Sequence, residues 1–123
     1  MKRQIRIQTG SVIASAELYE TKTANAIWQA LPLGGNIRTW GEEIYFAIPL
    51  KMELEEGQQV VNSGDLGYWP PGSAFCIFFG PTPVSREEEI RAASPVNIFG
   101  KLIDDPKVFK EVKEGEIIVV ERR

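Results

Sequence analysis

With 123 residues, 43% of them hydrophobic and 25% charged, the chain has the make-up of one globular domain, expected over 1–123 and long enough to bury a sizeable core. A net charge of −3 with scattered Lys and Arg argues against a nucleic-acid partner, because phosphate binding gathers cations on one face. No apolar run reaches the roughly 18 residues that a membrane helix needs, and histidine is absent, which removes the commonest metal ligand and the usual general base.

The start, MKRQIRIQ, alternates instead of presenting the apolar stretch of a signal peptide, and the single Cys76 allows neither an internal disulfide nor a multi-cysteine metal site. A cytoplasmic protein without cofactor or metal is expected. RQIRIQ (3–8) and SVIASAEL (11–18) then read as a hairpin turning at Gly10-Ser11. TKTANAIWQAL (21–31) is an amphipathic helix, capped by Thr21 or Thr23 and stopped by Pro32 and Gly34-Gly35.

Period two returns in EEIYFAIPL (42–50), where Ile44, Phe46 and Ile48 face one way and Glu43, Tyr45 and Ala47 the other. KMELEEGQQVV (51–61) turns at Glu56-Gly57 and ends in a short strand. LGYWP (66–70) and AFCIFF (74–79) are strands joined by the Pro70-Pro71-Gly72-Ser73 turn. PTPVSREEEIRAAS (81–94) reads as a polar excursion with one helical turn. VNIFGKLI (96–103) is a strand, DPKVFKEVKEG (105–115) a short helix and EIIVVE (116–121) the last strand. Many short strands with few helices most simply remove their edges by closing on themselves. The expected fold is mainly β: a closed barrel of about eight strands, one helix after the first hairpin and a short helix before the last strand.

Three segments in this order, GSVIASAELYETKTANAIWQAL (10–31), GSAFCI (72–77) and NIFGKLIDDPKVFKEV (97–112), resemble the cyclophilin family. The combination of WGEEIYF with GDLGYWPPGSAFCIFFGPTP further resembles a small, atypical prokaryotic group of cyclophilin-like proteins. The resemblance implies a β-barrel with a groove on its outer face, and raises peptidyl-prolyl isomerisation as an activity. It also places Ala74 at the family's glutamine, Cys76 at a pocket phenylalanine and Val96 at the histidine of the groove. Arg38 is the one candidate for the arginine that donates to the twisting amide. With these groups exchanged, a fold match does not by itself carry the activity.

Under this resemblance Phe75, Ile77 and Phe79 face the interior, and Ala74, Cys76 and Phe78 the groove. Candidate ligand-binding residues are Arg38, Trp40, Glu43, Tyr45, Tyr68, Trp69 and Phe78, a set of rings with a carboxylate and a guanidinium that suits a small ligand or a peptide end. Cys76, with apolar neighbours and no histidine, reads as a buried hydrophobe. The expected function is a binding protein without the isomerase site. The alternatives are a weak prolyl isomerase that uses Arg38, or an oligomeric scaffold.

Overall fold

Alternation builds the first hairpin as expected. In the computed structural model, which describes residues 3–123, β1 (Arg3–Thr9) and β2 (Val12–Leu18) pair antiparallel with Ile5 opposite Ala16 and Ile7 opposite Ala14. These four are buried while Arg6, Gln8 and Ile13 lie outside. Met1 and Lys2, counted in the expected single domain, lie outside the described residues.

The helix α1 (Lys22–Ala30) is capped by Thr21, whose Oγ1 accepts from the Ala24 amide at 3.0 Å, and it turns Ala24 and Ile27 into the core. The remaining strands are β3 (Leu33–Asn36), β4 (Arg38–Thr39), β5 (Glu43–Ala47), β6 (Gln58–Val61), β7 (Asp65–Trp69), β8 (Ala74–Phe78), β9 (Ile90–Leu102) and β10 (Ile117–Arg122). They form a sheet in the order β3-β10-β1-β2-β9-β7-β8-β5-β4, with β6 paired to β9 outside that path. Among the described residues no helix is long and apolar enough to cross a membrane.

Three features depart from the expectation. Among the described residues the strands number ten rather than about eight, and the ladder is not a closed ring. Its two ends, β3 and β4, are consecutive in the chain and joined through Ile37, which is buried and bonds to the residues before β10. Packing of Phe46 on Gly35 covers the seam where a ladder was expected. The glycines that should only stop α1 therefore belong to a strand, and at Gly34 a Cβ would lie 2.9 Å from the Ile118 carbonyl oxygen, so β10 approaches β3 only over a bare backbone.

The third departure is the 81–94 segment. Glu87 takes a left-handed φ of 52°, which no helical turn tolerates, and the chain re-enters the sheet at Ile90, six residues earlier than Val96. The short helix expected over 105–115 is present as a 3-10 helix, Pro106–Glu111, in which Phe109 alone is buried. One buried residue is too little apolar face to hold a longer helix.

The interior that the curled sheet encloses is aromatic. Phe75 meets Phe46 and Phe99 at ring-centroid distances of 5.2 and 5.0 Å, and Ile44, Ile48, Ile77 and Phe79 join the same core, as alternation together with the resemblance predicts. A polar clamp fixes the 50–57 segment to α1. The Glu55 carboxylate accepts from the Thr23 and Lys22 amides, both at 3.0 Å, and from Thr23 Oγ1 at 2.8 Å, which holds its pKa below the ordinary value. Buried Asn97 accepts from the Glu55 amide at 2.6 Å and donates to the Glu53 carbonyl at 2.8 Å and to Thr23 Oγ1 at 3.1 Å. Truncating Asn97 removes three hydrogen bonds, one of them to buried Thr23, so Asn97→Ala should cost about 1–3 kcal/mol. A lower urea midpoint with an unchanged slope is the expected reading, and an unchanged midpoint contradicts the clamp.

Candidate functional site

The outer face of β8 holds the first surprise. Ala74, Cys76 and Phe78 do point away from the barrel, but β6 and the first half of β9 fold over them. Val61, Ile90, Ala92 and Val96 join them in a second apolar core. Phe78 is therefore fully buried and, contrary to expectation, lines no open groove. An outward Phe in a strand needs a cover, and here the cover is the segment that reads in sequence as a polar excursion.

Tyr68 is also placed differently. It pairs with Phe75 in the β7–β8 ladder, faces the barrel interior and is fully buried. Its hydroxyl donates to the Leu50 carbonyl at 2.7 Å and accepts from the Met52 amide at 3.1 Å, so the polar tip is satisfied inside. Arg38 stands opposite Tyr45 in the β4–β5 ladder but is exposed and outside the pocket described next, and its charge acts on Glu114.

The remaining four candidates come together. Trp40, Glu43, Tyr45 and Trp69 line a pocket of about 230 Å³ whose opposite wall is Ala92, Ala93 and Val96. The local sequence explains the convergence. Glu43 and Tyr45 alternate onto the outer face of β5, and Trp69 takes the same face of β7, opposite Ala74. Trp40 comes from the turn before β5, closed by its amide donating to the Glu43 carbonyl at 2.9 Å. That turn depends on Gly41, which has a φ of 61° and sits where a Cβ would lie 2.8 Å from the Pro81 carbonyl oxygen. The Pro/Gly-rich GPTP run thus clamps the turn that carries Trp40.

The far wall is held just as specifically. Trp69 Nε1 donates to Ser94 Oγ at 2.7 Å, tying the indole to β9. Ser85 Oγ accepts from the Thr82 and Arg91 amides at 2.9 and 3.0 Å, and Thr82 Oγ1 donates to the Arg91 carbonyl, fixing the approach to Ala92 and Ala93. These three wall residues are absent from the sequence-derived set. The period-two order of Ile90, Ala92 and Val96 is the signal that could have found Ala92 and Val96, while Ala93 falls out of that phase.

Glu43 dominates the electrostatics. Only 6% of its surface is exposed, and burial raises its pKa from 4.5 to about 7, while a hydrogen bond with the Cys76 thiol pulls slightly the other way. Burial, with the Glu43 carboxylate beside it, pushes the Cys76 thiol well above its ordinary range, so it is no nucleophile. No Lys or Arg among the described residues lines the pocket, and no group of three or more His, Cys, Asp or Glu gathers as a metal site among them. Arg91, next to the wall, is taken by Glu89, which accepts from its Nε at 2.5 Å.

With this geometry in hand, comparison with known proteins is informative. No curated protein matches the chain. The solution structure of the hypothetical protein AF2241 from Archaeoglobus fulgidus is similar over 99% of this chain and 95% of its own, with 41% sequence identity and a TM-score of 0.84. The sequence profile described as Cyclophilin-like matches residues 3–121. Hairpin, helix, mainly β architecture and profile agree, and the chain belongs to the cyclophilin-like family.

Proposed function

We propose that the protein is a binding module, holding a small ligand in the pocket walled by Trp40, Tyr45 and Trp69. The observation that carries this reading is Glu43, an ionisable carboxyl buried among rings and alanines where a structural role asks for none. The volume of about 230 Å³ lies below the roughly 300–1,000 Å³ of pockets for drug-sized ligands, which favours a small molecule or one side-chain-sized group.

The isomerase alternative has less support. Lowering a rotational barrier of roughly 18–20 kcal/mol takes donors preorganised around the amide. The positions that the resemblance gives to the glutamine, phenylalanine and histidine hold Ala74, Cys76 and Val96, all buried in the second core. Arg38 is exposed outside the pocket. In a coupled peptide assay the expected rate is the uncatalysed one, the same in Arg38→Ala. Catalysis well above background that disappears in Arg38→Ala overturns the reading.

The three tryptophans provide a direct test, because Trp28 lies apart from the pocket with the Arg122 guanidinium 4.6 Å from its ring centroid. In a ¹⁵N–¹H spectrum, a fragment mixture should shift the indole signals of Trp40 and Trp69 and leave that of Trp28 in place. Equal shifts at all three, or none at any, contradict a pocket-specific ligand.

A further inference from the structure

The geometry points to the ligand's chemical class: the pocket takes a small organic cation, an alkylated ammonium head seated against Trp40, Tyr45 and Trp69 with Glu43 as its counter-ion. This deepens the binding-module reading and rests on it. Three rings share one small cavity with one acid, and ring faces attract a cation through their negative quadrupole, tryptophan most strongly. An anionic ligand is opposed by the carboxylate. A neutral apolar ligand leaves a buried carboxyl unpaired.

The cavity supplies no positive charge of its own. The groups facing Glu43 from the packed elements are the Cys76 thiol on β8 and the Tyr45 phenol on its own strand; β7 offers Trp69, and β9 offers Ala92, Ala93 and Val96. Arg91 is committed to Glu89 and Arg38 lies beside Glu114. The positive partner has to arrive from outside. An alkylated ammonium is weakly hydrated and apolar on its surface, which matches a wall of alanine, valine and indole.

Choline and its neutral isostere 3,3-dimethyl-1-butanol separate charge from shape. Titrated into the full chain and followed by the indole signals, choline should bind saturably at Trp40 and Trp69 and roughly tenfold more tightly than the alcohol. Its affinity should rise about tenfold from pH 6 to pH 8 as Glu43 ionises, and Glu43→Gln should flatten that rise. Equal affinity for choline and the alcohol overturns the cation claim while leaving a pocket that binds. Silence from choline, the alcohol and the fragment mixture alike removes the binding reading itself. A peptide carrying trimethyl-lysine that binds much more tightly than choline overturns a free small molecule as the source of the head group.

Discussion

Glu43→Gln should make the protein more stable at pH 8, by on the order of 3 kcal/mol, and leave its stability unchanged at pH 4. The sign follows from the direction of the shift. Burial raises the folded pKa from the ordinary 4.5 to about 7, so the folded state holds its proton over a range where the unfolded chain has lost it. That contribution is fully present below pH 4.5 and is lost as pH rises through about 7, where the carboxylate must be carried among rings and alanines. Glutamine keeps the shape and never ionises. Glu55, Glu89 and Glu114 are shifted the other way by the hydrogen bonds they accept, so their contributions are lost on acidification and appear equally in both proteins. Urea melts at both pH values check this, and a parallel pair of pH–stability curves contradicts it.

Phe75→Ala should cost about 3–5 kcal/mol, a large share of the roughly 5–15 kcal/mol that holds a domain folded. Phe75 is fully buried between Phe46 and Phe99 and pairs across β8 with both β5 and β7, so a cavity there has rigid walls that cannot collapse into it. The loss should appear in the urea midpoint. A loss of about 1 kcal/mol or less contradicts the aromatic interior as the main source of stability.

Both residues were legible in the sequence, for the same reason. WGEEIYF and AFCIFF alternate cleanly, and in a strand that fixes which side chains share a face. The alternation put Phe75 on one face with Ile77 and Phe79, which the resemblance turned inward, and put Glu43 beside Tyr45. It could not show what covers the other face. The cover comes from Val61 of β6 and from Ile90, Ala92 and Val96 of β9, and the RAASPV stretch that supplies two of them carries little apolar signal in its alanines, serine and proline.

Tyr68, a candidate ligand-binding ring by sequence, is buried in the core instead. The acceptor at Leu50 and the donor at Met52 that satisfy its hydroxyl lie 18 and 16 residues away, beyond any local pattern. The seam of the sheet was hidden in a similar way. Gly34-Gly35 marks the end of a helix in any local reading, and only the partner strand at the other end of the chain makes it β3. The resemblance supplied the order of the elements. Ala74, Cys76 and Val96, which the resemblance sets at the isomerase positions, lie together in the second core.

The most direct measurement is the titration of the Glu43 side-chain carboxyl, followed by its ¹³C shift in protein labelled at glutamate and assigned with Glu43→Gln. The account predicts a midpoint near 7, against the ordinary 4.5, and a fall in that midpoint when choline is added. A midpoint close to 4.5, unmoved by choline, would mean that Glu43 is an ordinary solvated acid and that the pocket has no anchor.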